Sequence, residues 1–145
     1  MPDSAPRIPG IVAYHLAGGW EVLAGKTDEA NDYLSLRLAR ANDRWFHIRG
    51  MPGSHVVLRA REDGAPDKAT LELAASIAAY HSKARNGGVV PVGWTEAKHV
   101  SKPRGAKPGT VTMAKENVIK VRPIAADALA AFKRAYDERL ETDED

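Results

Sequence analysis

The stretch DRWFHIRGMPGSHVVL, residues 43–58, decides how this chain is read. Aromatic and β-branched residues fill its two halves, and Gly50, Met51, Pro52 and Gly53 separate them. That arrangement predicts a strand over 44–49, a tight connection, and a returning strand over 54–60. Successive side chains of a strand point to opposite faces. Arg44, Phe46 and Ile48 therefore share one face, and Trp45, His47 and Arg49 share the other. The place of His55 depends on the turn. A loop over 50–53 sets Arg49 opposite Ser54 and puts His55 on the Phe46 face. A loop over 50–54 sets Arg49 opposite His55 and gathers both histidines on one face. The sequence leaves both registers open.

Working outward, GIVAYHL at 10–16 and WEVLAG at 20–25 read as two strands joined at Gly18 and Gly19. Thr27 or Asp28 supplies an N-cap for a helix over 29–40. The segment 61–67 is turn chemistry, and a long helix follows over 68–86, capped by Asp67 or Thr70 and ended by Gly87 and Gly88. Its stripe of Leu71, Ala74, Ala75 and Ala78, widened by Leu73, Ile77 and Tyr80, suits close packing across a sheet. Val89 to Val92 reads as a short strand that Pro91 assigns to an edge, with 94–99 as an extended arm. Segments 110–114 and 117–122 read as a hairpin. A last helix over 127–140, after Pro123 and capped by Asp127, turns Ala128, Ala131, Phe132, Ala135 and Tyr136 inward. The expected fold is α+β: a mixed, mainly antiparallel sheet packed against a long alanine-rich helix and a C-terminal helix. The expected organisation is a flexible N-terminus over 1–9, one domain over 10–140 and an acidic tail over 141–145.

The 145-residue chain has no cysteine, which excludes disulfides, thiolate metal sites and a thiol nucleophile. It has no apolar run of about eighteen residues, as a membrane-spanning helix would need. Its first residues, MPDSAPRIPG, lack the pattern of a secretory signal, so a cytoplasmic location is expected. A formal net charge of +2 hides a strong asymmetry. Nine basic and two acidic residues lie in 81–122, whereas 123–145 holds three basic and seven acidic ones. The loop KHVSKPRGAKPG at 98–109 carries Lys98, Lys102, Arg104 and Lys107 with no acid among them. Pro103, Gly105, Pro108 and Gly109 shape its backbone. A shaped basic loop is the footprint of a phosphate-binding face, although lysines that merely solvate a loop are the commoner case.

Trp45, His47 and Arg49 on one strand face offer rings for stacking and a guanidinium for phosphate, unless Trp45 is simply core and His47 a partner of Asp43. Lys83 and Arg85 fall near the end of the long helix, where they suit its dipole and would also broaden a positive field. Asp43, His47, His55, His81 and His99 are metal-ligand types, but no H-E-x-x-H spacing joins them. Ser54 and His55 are adjacent on a strand and point apart, and no nucleophile elbow surrounds them. Neither phosphate-binding glycine motif is present, which argues against a nucleotide-hydrolysing loop. No cofactor or metal is implied.

The order D-x-W-F-H, then G-x-P-G-S-H-V-V-L, then YHSKARN, then KHVSKPRGAKPGTV, preceded by GGWEVLAGKTDEANDYLSLRLA, resembles the NFACT-R domain. The resemblance spans roughly residues 14–122. It implies an RNA-binding module of the NFACT proteins, which act in ribosome-associated quality control. Small bacterial proteins of this type are also associated with transfer-RNA modification. The implied partner is transfer or ribosomal RNA, with the ribosome or a tRNA-modifying enzyme beside it. The candidate RNA contacts are Lys98, Lys102, Arg104, Lys107, Lys83, Arg85, Arg44, Trp45, His47, Arg49 and His55. The alternative is a small hydrolytic or RNA-modifying enzyme using Asp43, His47 and His55, and it requires those three side chains to converge.

Overall fold

A computed structural model describes residues 9–134. Its centre is a seven-stranded sheet. The strands are β1 (Ile11–His15), β2 (Glu21–Gly25), β3 (Arg44–Ile48), β4 (Val56–Leu58), β5 (Val90–Glu96), β8 (Asn117–Val121) and β9 (Lys133–Arg134). They lie in the order β8, β5, β3, β4, β2, β1, β9, and each pairing is antiparallel. Two further short strands, β6 (Val100–Ser101) and β7 (Thr112–Met113), form a separate pair. Among the described residues three α-helices complete the architecture: α1 (Asp28–Tyr33), α2 (Lys68–Tyr80) and α3 (Ala126–Phe132). The α+β reading, with an antiparallel sheet against an alanine-rich helix and a later helix, therefore holds.

Both faces of the sheet are covered. On the first, Val22, Ala24, Phe46, Ile48, Val56 and Leu58 meet Ala74, Ala75, Ile77, Ala78 and Ala79 of α2, with Leu129 of α3 beside them. Alanine lets the helix axis approach the strands closely. Burial of a Phe46-sized side chain contributes about 1.5–3 kcal/mol. On the second, Ala13, Leu23, Trp45 and Val57 meet Leu34, with Leu38, Val100, Val111 and Met113 packed around them. The period-two pattern of β2 thus serves two cores at once, Val22 and Ala24 in one and Leu23 in the other.

The caps at Thr27 and Asp67 form as read. Thr27 Oγ1 accepts from the Ala30 N–H at 3.0 Å, and Asp67 Oδ1 from the Thr70 N–H at 2.8 Å. Other expectations need correction. The first helix widens into a π turn over Leu34–Leu38 and stops at Ala39. That widening lets Leu34 bury completely while Leu36 stays exposed.

Helix α2 ends at Tyr80, six residues short of the expected end. Its last carbonyls are taken from outside: Ser54 N–H donates to the His81 carbonyl, Ser82 Oγ to Ala79 and Arg85 Nε to Tyr80. Lys83 and Arg85 consequently follow the helix rather than belong to it. At α3 the N-cap is Ala125, and Asp127 sits in the first turn, its carboxylate accepting from the Ala128 N–H. The helix stops at Phe132, and the next two residues pair with β1. Ala135 and Tyr136 lie outside the described residues, as do most of the expected N-terminal segment and the acidic tail.

Pro91 does not mark an edge, because β5 lies between β3 and β8. The Pro91 carbonyl accepts from the Arg49 N–H at 3.1 Å but has no N–H to return, so the β3 ladder ends there. Nor do 110–114 and 117–122 pair with each other. β7 pairs with β6 and β8 with β5, and Lys115, at φ 57°, turns the chain from one sheet to the other.

Candidate nucleic-acid interface

The hairpin at 43–58 adopts neither register set out from the sequence. Phe46 pairs with Val56 and Trp45 with Val57, which brings His47 opposite His55 as the next pair outward. The two histidines share the Trp45 face, as the second alternative required, but slipped by two positions. Their ring centroids are 5.7 Å apart, edge to face. Trp45 stacks on His47 at 6.0 Å and meets His55 edge-on at 5.1 Å.

Both nitrogens of the His55 ring are engaged. Nε2 lies 3.2 Å from the Gly109 carbonyl, and Nδ1 lies 3.2 Å from the Asn31 carbonyl and 2.6 Å from Ser35 Oγ. Ser35 Oγ in turn accepts from Trp45 Nε1–H at 2.8 Å. A continuous chain of hydrogen bonds thus joins Trp45, through Ser35 and His55, to Gly109. Burial, with His47 nearby, lowers the His55 pKa to about 4, which keeps the ring neutral and this chain of bonds intact. His47 is also lowered, chiefly by burial, against the raising effect of backbone at Ile48 and Gly53.

Through Gly109, His55 ties the hairpin to the basic loop that joins β6 to β7. Two turns shape that loop. Ala106 N–H donates to Pro103 and Thr110 N–H to Lys107, both at 3.1 Å. Gly105 (φ 77°) and Gly109 (φ 86°) occupy the third positions, where a type II turn needs the left-handed conformation. Lys102 crosses the loop from within: its ammonium lies 3.1 Å from Asp32 Oδ2 and 2.6 Å from the Lys107 carbonyl. Arg104 and Lys107 remain on the outside, exposed, with no ion pair among the described residues.

The candidate contacts thus separate. Arg104 and Lys107 are accessible. Lys98 is exposed beside Glu96 at 3.5 Å, and Arg49 is exposed beside Glu116 at 3.1 Å. Lys102 is internal to the loop. His47 is half-buried, while Trp45 (3% exposed) and His55 (2%) are removed from the surface. Arg44 opens β3 on the α2 face, far along the strand from Arg49, and donates to the Asn42 carbonyl.

Lys83 and Arg85 flank a cavity whose opposite wall is the hairpin turn. Lys26 joins them there, a cation the sequence reading missed because it stands alone between a strand and a helix cap. Asp43 does not converge with the histidines: its carboxylate is buried, accepts from the Arg40 and Ala60 N–H groups, and faces Arg59 Nε at 3.2 Å. Among the described residues no group of three or more His, Asp or Glu is placed to hold a metal ion, and no helix is long and apolar enough to cross a membrane.

Fold and site together define a small α+β domain that presents a shaped cationic loop anchored to a sheet hairpin. The family model described as the NFACT protein RNA binding domain matches residues 12–115, and the chain belongs to that family. It is 42% identical over 130 residues to the Rqc2 homolog RqcH of Bacillus subtilis (strain 168), covering 90% of this chain and 22% of that protein. The Rqc2 homolog RqcH of Streptococcus suis (strain 05ZYH33) is 41% identical over 102 residues, covering 70% and 18%. The chain thus spans about a fifth of the length of these curated relatives. The solved structure of the C-terminal of the fibronectin/fibrinogen-binding protein from Streptococcus suis matches with a TM-score of 0.80 at 34% identity, over 91% of this chain and 53% of that one.

Proposed function

We propose that this chain binds structured RNA, transfer or ribosomal, and works in ribosome-associated quality control. The observation that carries this reading is the bond from His55 to Gly109. It fastens the basic loop against the hairpin, so that Arg104 and Lys107 project from a fixed base. Preorganised cations lose less entropy on meeting a phosphate than cations on a free arm. Arg104 and Lys107 make the first phosphate contacts, with Arg49, Lys98 and His47 at the margin. Trp45, His55 and Lys102 act from inside, by holding the loop and the hairpin in register. A tRNA-modifying enzyme or the ribosome would meet this chain through the same RNA. The enzymatic alternative loses support, since Asp43 is committed to Arg59 and to two backbone donors.

RNA affinity measured across a salt series tests the proposal. With four to six phosphates engaged, log Kd against log salt should have a slope on the order of 3 to 5. Replacing Arg104 and Lys107 with glutamine should weaken all structured RNAs alike and reduce the slope by about two units. Salt-independent binding, or unchanged affinity in that double variant, would remove the basis of the reading.

A further inference from the structure

A cavity of about 380 Å³ opens between the end of β2, the hairpin turn and the segment that follows α2. Lys26 enters from the first, Ser54 from the second, and His81, Ser82, Lys83 and Arg85 from the third. Asp28 is the one carboxylate on its wall among the described residues. Lys26 and Lys83 are exposed and make no ion pair among the described residues. Arg85 stacks its guanidinium 4.0 Å from the Tyr80 ring centroid and spends Nε on the Tyr80 carbonyl, which fixes its plane and leaves its terminal nitrogens to a ligand.

The walls are tied together. Gly53 and Ser82 form an isolated bridge, Ser54 N–H donates to His81 at 2.9 Å, and the Ala84 N–H donates to Ser82 Oγ at 3.0 Å. At the base, Tyr14 Oη lies 2.7 Å from His81 Nε2. Burial first, then the charges of Arg85, Lys26 and Lys133, bring the His81 pKa down to about 4. Lys26 from one part of the chain and Lys83 and Arg85 from another therefore line one small volume.

We propose that this cavity is a subsite for one unstacked nucleotide of the bound RNA, its phosphate held by Lys26, Lys83 and Arg85. The volume exceeds what a phosphate ion needs and falls in the range of small-ligand sites. Ser54 and Asn31 line the remainder with polar side chains, the chemistry that meets ribose and base edges in single-stranded RNA recognition, while the Thr27 and Ser82 hydroxyls beside them are already bonded to backbone. The cavity also adjoins the loop: a Cβ placed on Gly109 would come within 2.9 Å of Asp28, the residue on the cavity wall. An RNA strand held by Arg104 and Lys107 is thereby led toward it. The inference rests on the RNA reading.

The test is a titration of the whole chain with nucleoside 5′-monophosphates and, separately, inorganic phosphate, followed at backbone amides by NMR. Nucleotide should shift Gly53, Ser54, Ser82 and Lys83 and saturate at lower concentration than phosphate. Lys26→Gln with Lys83→Gln should raise the nucleotide Kd about tenfold or more. Arg104→Gln with Lys107→Gln should leave that Kd within about twofold while weakening structured RNA. An undisturbed amide spectrum in each variant shows that the fold is kept. Unmoved cavity amides in a chain that still binds RNA would overturn the subsite alone, and so would nucleotide and phosphate of equal affinity. Nucleotide binding in the cavity of a chain that binds no RNA would support the subsite's chemistry and remove the RNA reading.

Discussion

One carboxylate, that of Asp32, pins both ends of the basic loop: Oδ2 lies 3.1 Å from the Lys102 ammonium and Oδ1 accepts from the Gly109 N–H at 2.9 Å. This arrangement sets up an outcome opposite to that of simple charge counting. Asp32→Asn raises the net charge by one and should, on field strength alone, tighten RNA binding. Because asparagine does not neutralise Lys102, the loop should instead loosen and the affinity fall about three- to tenfold, on the order of 1 kcal/mol. Affinity at fixed salt reads this directly. Tighter binding by the variant would show that Asp32 acts only as a repulsive charge.

The neutral histidines make stability depend on pH in a definite direction. His55 has a folded pKa of about 4, set by burial and then by His47, against an ordinary value of 6.5. The unfolded chain therefore binds a proton between these values that the folded chain refuses, and stability falls as the pH drops from 6.5 through 4. The cost attributable to His55 is about 3 kcal/mol at most. His81, also at about 4 through burial and then Arg85, Lys26 and Lys133, adds a smaller share because solvent reaches it. Urea unfolding from pH 7 to pH 4 should show this loss, and His55→Gln should flatten the curve. An unchanged slope in that variant would mean that His55 titrates normally.

The parts of the fold legible in the sequence are those set by local periodicity and caps. The alternation in 43–49 placed Phe46 and Trp45 on opposite faces, and Thr27 and Asp67 cap the helices they precede. What escaped depends on partners distant in sequence. The early end of α2 needs Ser54 to claim the His81 carbonyl, a pairing no local pattern encodes. The pairing of β6 with β7 was hidden because 94–99 read as one extended arm, whereas the chain coils at Ala97–His99 before β6 begins. At the site, charge density picked out the loop, but it did not separate Lys102, which builds the loop, from Arg104 and Lys107, which project from it. Lys26 carried no signal at all, because only folding sets it beside Lys83 and Arg85.

The chain of hydrogen bonds from Trp45 to Gly109 predicts that a small polar deletion will have a large effect. Ser35 is 5% exposed, and its hydroxyl accepts from the Trp45 indole and lies 2.6 Å from His55 Nδ1. Ser35→Ala leaves a buried indole N–H and a buried imidazole nitrogen without that partner, which should cost about 1–3 kcal/mol. Ser35→Thr should recover part of the loss if its methyl group fits. The structural loss should also reach the loop, since His55 then loses the shorter of its two Nδ1 contacts and is held less firmly against Gly109. Faster hydrogen exchange at Gly109 and Thr110 in Ser35→Ala would report that coupling, and unchanged exchange there would confine Ser35 to the core.

Asp43 separates the binding reading from the enzymatic one. It is 1% exposed and holds Arg59 Nε at 3.2 Å, together with the Arg40 and Ala60 N–H groups, at the end of β3 away from the hairpin turn. Asp43→Ala removes the carboxylate that faces Arg59 Nε and frees two buried backbone donors, so it should destabilise the fold by about 2–4 kcal/mol. Asp43→Asn keeps an acceptor for one of those donors and should cost less. Neither change touches the loop that carries Arg104 and Lys107. At a temperature where Asp43→Asn remains folded by circular dichroism, its RNA affinity should match that of the parent chain within about twofold. If Asp43→Asn kept its melting temperature but lost a hydrolytic or RNA-modifying activity present in the parent, the carboxylate would be a reacting group and the binding account would fail.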